Sequence, residues 1–102
     1  MLKMIIRFDE DKVRNESEYD LDGIYAYIEE IVCEENLRVC DDERGVYTDN
    51  EEGNMDDDLY SFMTVAAILA DRDWIAYAKE WLWYEDAEEA QNLLRTFKIL
   101  RY

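Results

Sequence analysis

Residues 2–8 of the chain read LKMIIRF, and this stretch sets the start of the fold. Large apolar side chains stand at the even positions, from Leu2 to Phe8, while Lys3 and Arg7 stand at odd positions. A period of two is typical of a strand that buries one face. The stretch therefore predicts a strand. Residues 9–19, which are acidic and contain few apolar side chains, predict a loop after it.

The next segment predicts an amphipathic helix. Its apolar residues follow the i, i+3, i+4, i+7 spacing of a single helix face. They are Leu21, Ile24, Tyr25, Ile28, Ile31 and Val32. Asp20 is in position to cap the start of this helix, and Asn36 to end it.

The remaining segments predict a hairpin and three helices. Residues 37–42 and 46–49 predict two strands, joined by a turn over 43–45 in which Gly45 adopts a left-handed conformation. Residues 50–58 predict a second acidic loop, and residues 59–70, apolar nearly all round, predict a central helix rather than a surface one. A further helix is predicted from an apolar stripe of Trp74, Ile75, Ala78, Trp81 and Leu82, with Asp71 or Asp73 as its N-cap. A last helix is predicted from a second apolar stripe of Ala87, Ala90, Leu93, Leu94 and Phe97. Asp86 and Glu89 form a capping box at its start.

These elements predict one α+β domain over residues 1–102. It contains a small antiparallel sheet, made of the N-terminal strand and the hairpin, packed with about four helices. Among the aromatic residues, Trp74 and Trp81 are predicted to lie in the core. Tyr77, Trp83 and Tyr84 either pack against the last helix, which we favour, or form an exposed anchor for a partner.

Composition excludes several classes of function. The chain carries 27 Asp and Glu against 11 Lys and Arg, a formal net charge of -16, which disfavours direct binding to nucleic acid or to an anionic membrane. Histidine is absent, which excludes His-based catalytic triads and His-ligated zinc. With 49% hydrophobic residues, however, the chain differs from a disordered acidic tail.

The excess of acidic residues lies in one half of the chain. Residues 9–58 hold 20 acids and four bases, whereas residues 59–102 hold seven acids and five bases. All three Trp residues lie in the nearly neutral second half. The distribution predicts an acidic half, 1–58, supported by a packing half, 59–102.

The acidic half contains the candidate binding residues. Carboxylates one helical turn apart, such as those of Glu30 and Glu34, stand about 5–6 Å apart, a spacing on the scale of phosphates along one strand of nucleic acid. Such a face can accept hydrogen bonds from the Lys and Arg side chains with which a protein holds a duplex. The candidate partner-binding residues are Glu29, Glu30, Glu34, Asp41, Asp42, Glu43, Asp49, Glu51 and Glu52, with Asp56, Asp57 and Asp58 in reserve.

In size, charge and α+β pattern, the chain resembles the small acidic inhibitors of phages and mobile elements, the anti-CRISPR and anti-restriction proteins that imitate nucleic acid. The resemblance implies a stoichiometric inhibitor that occupies the basic nucleic-acid channel of a host defence protein, for example the site where an RNA-guided nuclease reads its target. The expected partner is therefore a basic nucleic-acid-binding protein. Direct contact with nucleic acid or a membrane is not expected.

Two other functions stay open. One is a small accessory or structural protein whose acidity serves only solubility. The other is calcium binding, because Glu18, Asp20, Asp22, Gly23 and Glu29 match positions of an EF-hand loop, although a helix through this segment would spread the ligands apart.

No cofactor, metal or catalytic activity is expected, because nothing singles out a pair of carboxylates for acid–base chemistry. The N-terminus lacks the pattern of a signal peptide, and no apolar window is long enough to span a membrane. A cytoplasmic location is expected, with Cys33 and Cys40 reduced, and a disulfide between them stays open.

Overall fold

A five-stranded antiparallel sheet is the framework of the fold. The computed structural model describes residues 2–40, 43–49, 55–85 and 91–99, with the backbone alone for residues 55–59 and 85. Along the chain, the elements are β1 (Leu2–Phe8), α1 (Glu10–Glu16), α2 (Leu21–Glu34), β2 (Arg38–Val39), β3 (Val46–Thr48), α3 (Met55–Ala70), a 3-10 turn (Asp73–Tyr77), β4 (Ala78–Glu85), β5 (Gln91–Asn92) and α4 (Leu93–Thr96). The strand order is β2-β3-β1-β4-β5. The predicted α+β class is confirmed.

β1 is the central strand, and its alternation decides which face of the sheet is buried. Its even-numbered residues are at most 1% exposed, and the odd-numbered ones are partly exposed. Met4 pairs with Tyr47 of β3 and with Trp83 of β4, so these three side chains share the buried face. Phe62 of α3 packs there, with its ring 5.6 Å from that of Trp83. The predicted N-terminal strand is confirmed.

α2 forms as the apolar spacing predicts. Ile24, Tyr25, Ile28, Ile31 and Val32 are all buried and join the core cluster that β1 also enters. The N-cap residue is Asp20, although its side chain makes no capping hydrogen bond. Asn36 follows the helix with a φ of 60°, the left-handed conformation that ends helices and that Asn tolerates better than most residues.

The predicted hairpin is present, with strands shorter than expected. β2 pairs with β3, and the turn between them ends at Gly45, whose φ is 85°. The Gly45 carbonyl accepts a hydrogen bond from the backbone N–H of Ile6, at 2.9 Å, which ties the turn to β1. A Cβ atom at Gly45 would collide with the carbonyl oxygen of Ile6. Both its conformation and this close approach therefore require glycine.

The prediction of a loop over residues 9–19 is wrong, because residues 10–16 form α1. Asp9 caps this helix by accepting a hydrogen bond from the backbone N–H of Lys12 at 3.2 Å. Acidic residues occupy its first turn and Arg14 its last, an order that suits the helix dipole. Only Val13 is buried, so no apolar stripe marked the helix.

The predicted helix over residues 74–82 is also wrong: a 3-10 turn is followed there by β4. Phe8 of β1 pairs with Ala78 and Arg7 pairs with Glu80, so Lys79 is an extra residue in β4, a bulge. The bulge lets Ala78 and Trp81, three residues apart, both be buried. That spacing imitates a helix. Trp74 and Trp81 are core residues, as predicted.

α3 is confirmed as a helix, but it is not buried on all sides. It begins at Met55, so the predicted loop over 50–58 is wrong for residues 55–58, and residues 50–54 lie outside the described part. Phe62, Val65, Ala66 and Leu69 are buried, whereas Tyr60, Met63, Thr64 and Ala67 are exposed. α3 is therefore an amphipathic helix with one buried stripe, and not a central helix that is buried on all sides.

The last predicted helix is much shorter than expected. Residues 91–92 form β5, the edge strand beside β4, and α4 covers only Leu93–Thr96. Its cap is Asn92, whose side chain accepts a hydrogen bond from the Leu94 N–H at 3.0 Å. The predicted capping pair of Asp86 and Glu89, with Ala87 and Ala90, lies outside the described residues.

Trp83 and Tyr84 of β4, and Tyr77 just before it, do not form an exposed anchor. Trp83 is 8% exposed and packs on Phe62, while Tyr77 and Tyr84 are partly exposed. The ring that stacks on Trp81, at 5.4 Å, is that of Phe97, which follows α4.

Cys33 and Cys40 are both free thiols. Within the described part of the chain, no helix has the length and apolar character needed to cross a membrane.

Candidate partner-binding surface

The outer side of α2 presents two of the predicted carboxylates to solvent. Glu30 and Glu34 are exposed, and they stand one turn apart because α2 runs unbroken through both. No described cation forms an ion pair with either of them. Glu29 is half-buried at the edge of this side. Burial of the Tyr47 hydroxyl raises the pKa of Tyr47, and the negative charge of Glu29 raises it further.

α1 and the start of α2 enclose an acidic groove that the sequence did not reveal. Its volume is about 510 Å³. Four carboxylates and two guanidinium groups line it: Glu10, Glu18, Asp20, Asp22, Arg14 and Arg44. Asp11 and Glu16, on α1, are exposed as well. We define the acidic face as the exposed carboxylates of Glu10, Asp11, Glu16, Glu18, Asp20, Asp22, Glu30 and Glu34.

Arg44 is held by the acidic face and is not free to offset the rest of it. Its guanidinium donates to the Asp22 carboxylate at 2.6 Å. The same group lies over the Tyr25 ring, 4.1 Å from the ring centroid. The hairpin turn is thereby docked on the first half of α2. Of the exposed carboxylates on α1 and α2, Asp22 is the one with an ion pair to a described residue.

Glu43 is exposed but already paired. Its carboxylate accepts a hydrogen bond from Arg7 at 2.7 Å, and Glu80 lies 3.8 Å from the same guanidinium. The bond to Glu43 raises the pKa of Arg7 above its usual value. A cationic partner would have to displace Arg7 to bind Glu43. This candidate is therefore less available than Glu30 or Glu34.

Asp49 does not belong to the surface, and its selection as a binding residue is corrected. It is 9% exposed, and its Oδ2 accepts a hydrogen bond from the backbone N–H of Leu2 at 3.1 Å. The backbone N–H of Asp49 donates to the Leu2 carbonyl, also at 3.1 Å. The carboxylate thus satisfies the start of β1, where a buried N–H without a partner would destabilise the fold.

The other candidates cannot be placed on this face. Asp41, Asp42, Glu51 and Glu52 lie outside the described residues. Asp56, Asp57 and Asp58 occupy the first turn of α3, where acidic residues suit the helix dipole, and only their backbone is described.

The EF-hand pattern is not realised. α2 begins at Leu21, so Asp22, Gly23 and Glu29 lie within a helix instead of wrapping around an ion. Among the described residues, no cluster of three or more carboxylate or thiol side chains could hold a metal ion.

Three cations of the acidic half lie on the other face of the sheet, whereas Arg14 and Arg44 line the acidic groove. Lys3 and Arg38 both pair with Thr48, one on each side of β3, and so they occupy the face of the sheet opposite Tyr47. Arg7 shares that second face, because it is an odd-numbered residue of β1 like Lys3. α2, in contrast, packs on the Tyr47 side. The sheet therefore separates Lys3, Arg7 and Arg38 from the exposed carboxylates of α2.

No protein family, curated protein or solved structure that we compared with the chain gives a match. Carboxylates that are exposed, unpaired and fixed on helices can accept charge-assisted hydrogen bonds from Lys and Arg.

Proposed function

We propose that the protein is a non-catalytic binding protein whose acidic face imitates nucleic acid and inhibits a basic nucleic-acid-binding protein of a host defence system, such as a CRISPR nuclease. The supporting observation is the state of the carboxylates on α1 and α2. They are exposed, and all except Asp22 lack an ion pair among the described residues. An acidic surface that served only the fold would gain from internal partners, and among the described residues Arg44 is the cation that pairs with it.

The rigidity of the support also favours this function. Glu30 and Glu34 stand on a helix of 14 residues whose other side is buried against the sheet. The spacing of the carboxylates is therefore set before a partner arrives. Preorganised groups lose little conformational entropy on binding, in contrast to charges on a disordered tail.

The distribution of charge favours one docking orientation for a cationic partner. Lys3, Arg7 and Arg38 lie on the second face of the sheet, away from Glu30 and Glu34, so a cationic partner is attracted more strongly to the α1–α2 side. Electrostatic complementarity of this kind increases association rates and fixes orientation more than it raises affinity. A specific docking orientation is what distinguishes an inhibitor from a soluble polyanion.

Displacement of nucleic acid tests the proposal. Labelled duplex DNA is bound to each of a panel of basic proteins, including a guide-loaded CRISPR nuclease and restriction enzymes, and its release is followed by fluorescence anisotropy at about 0.15 M salt. We expect saturable release from at least one protein at low micromolar concentration. Absence of release from every member of the panel would refute nucleic-acid mimicry.

A pair of variants separates mimicry from acidity in general. The double variant Glu30→Gln with Glu34→Gln and the single variant Glu80→Lys each remove the same two units of negative charge. Glu80 pairs with Arg7 on the second face of the sheet. We expect the double variant to lose release activity and the Glu80 variant to keep it. Equal loss in both would favour a nonspecific polyanion whose acidity serves solubility.

A further inference from the structure

A small pocket lies between the start of α2 and the 3-10 turn. Its volume is about 340 Å³. One aliphatic and three aromatic residues supply most of its lining, namely Tyr19, Ile24, Tyr27 and Trp74. Two exposed carboxylates of the acidic face also line it, those of Glu18 and Asp20. The pocket therefore combines an apolar interior with negative charge at its opening.

Gly23 leaves this pocket open because it has no side chain. It lines the pocket, and a Cβ atom there would stand 3.7 Å from Oδ2 of Asp20. That is an ordinary contact, and Gly23 does not have a positive φ, so neither space nor conformation requires glycine at this position. Glycine within a helix destabilises it relative to alanine. The open space is thus maintained at the expense of α2.

The neighbouring part of α2 shows which group such a surface accepts. The guanidinium of Arg44 lies 4.1 Å from the centroid of the Tyr25 ring and donates to the Asp22 carboxylate at 2.6 Å. The face of the ring and the carboxylate both attract the positive charge. The pocket offers the same two kinds of group, an aromatic ring in Tyr27 and a carboxylate in Asp20.

No cation among the described residues occupies this pocket. None of its lining residues is basic, and neither Glu18 nor Asp20 forms an ion pair with a described residue. The Arg72 guanidinium stands 5.9 Å from the centroid of the Tyr27 ring, the outer limit of a cation–π contact, and does not line the pocket. The Asp20 side chain makes no capping hydrogen bond, so its oxygens are available to a partner.

We infer that this pocket binds an arginine side chain of the partner protein. The apolar stem of the arginine covers Ile24, its planar guanidinium stacks on the Tyr19 or Tyr27 ring, and its N–H groups donate to the carboxylates. Arginine fits better than lysine because its guanidinium is flat and more weakly hydrated than an ammonium group. The source of the arginine, a basic nucleic-acid-binding protein, rests on the proposed function.

A titration followed by nuclear magnetic resonance, with Nα-acetyl-arginine amide as the probe, tests the pocket directly. At about 0.15 M salt, we expect saturable shifts of the Gly23 and Tyr27 backbone amides, with a dissociation constant on the order of 10 mM for this single side chain. Nα-acetyl-citrulline amide has nearly the same shape but no charge, and it should bind at least about tenfold more weakly. The corresponding lysine amide should also bind more weakly than the arginine amide.

Two methionine variants separate filling of the pocket from a general effect. Gly23→Met keeps the net charge, and its side chain leans toward the preceding turn, where Asp20 lies. It should weaken binding of the arginine amide by about tenfold or more, although methionine stabilises a helix relative to glycine. Thr64→Met is the matched control, since Thr64 is an exposed residue of α3 outside the pocket. Thermal melts followed by circular dichroism establish that both variants fold.

A third variant removes the charge and keeps the shape of the pocket. Asp20→Asn should weaken binding of the arginine amide by about threefold, because an exposed carboxylate contributes a modest part of the attraction. Asparagine is as good an N-cap residue as aspartate, so α2 should be retained.

Three results would overturn the inference. The first is equal binding of the arginine amide and either the citrulline or the lysine amide. The second is a set of shifts as large at Glu30 and Glu34 as at Gly23, which would indicate nonspecific attraction to the acidic face. The third is wild-type affinity in Gly23→Met. Release of DNA by a protein that does not bind the arginine amide would refute this inference alone, whereas binding of the amide without release from any panel member would refute the proposed function alone.

Discussion

Replacing Gly45 by Ala should destabilise the fold strongly. The native φ of 85° costs an L-residue about 1–2 kcal/mol. The new Cβ also collides with the Ile6 carbonyl oxygen, which is backbone and cannot rotate away. The turn must therefore shift, at the expense of the 2.9 Å hydrogen bond from Ile6 N–H to Gly45, about 1 kcal/mol. The sum is about 2–3 kcal/mol.

Urea denaturation followed by Trp fluorescence measures this loss, because Trp74, Trp81 and Trp83 are all buried. Gly23→Ala is the matched control. Gly23 lies within α2, and a Cβ there would stand 3.7 Å from the nearest atoms, an ordinary contact. Alanine in a helix is favoured over glycine by about 0.5–1 kcal/mol, so this variant should be stabilised. A loss below about 1 kcal/mol for Gly45→Ala would contradict the argument from strain and collision.

The remaining predictions concern buried and paired polar groups. Tyr47→Phe should be neutral or stabilising at pH 7, because the Tyr47 hydroxyl is buried with no hydrogen-bond partner among the described residues. Burial raises the pKa of Tyr47 above its usual 10, so the wild-type protein loses free energy of unfolding as the pH rises above 10. Urea denaturation at pH values up to about 11 should show a smaller loss for Tyr47→Phe, which has no hydroxyl to ionise. Asp49→Ala should cost about 1–3 kcal/mol in the same melts because the Leu2 N–H loses its acceptor, whereas Asp49→Asn should cost less. Breaking the exposed pair of Arg7 and Glu43 by Glu43→Gln should cost less than about 1 kcal/mol.

The sequence predicts the elements whose spacing is regular. β1 and α2 each bury one face with an uninterrupted period, and both are confirmed. β4 is different, because the bulge at Lys79 changes the phase of the strand. The buried pair Ala78 and Trp81 then has helix-like spacing, and the composition of residues 81–84 (WLWY) is the better guide, since aromatic residues favour strands. A tertiary irregularity cannot be recognised from periodicity alone.

The candidate site was predicted in part for a related reason. Glu30 and Glu34 were found because α2 has a clear buried stripe, which identifies its outer side. The carboxylates of α1 were missed because this helix buries only Val13, and a single buried residue defines no stripe. The charge of Asp49 by itself predicts a surface position. Its burial depends on the pairing of β1 with β3, which local sequence does not indicate.

Net charge alone gives an incomplete account of how this chain meets a partner. The value of -16 is compatible with repulsion of any anion, but its effect depends on where the charges lie. Lys3 and Arg7 are on the second face of the sheet, the carboxylates of α1 and α2 are on the helical side, and residues 59–70 contain no charged residue. Added salt should therefore weaken the binding of a cationic partner at the acidic face.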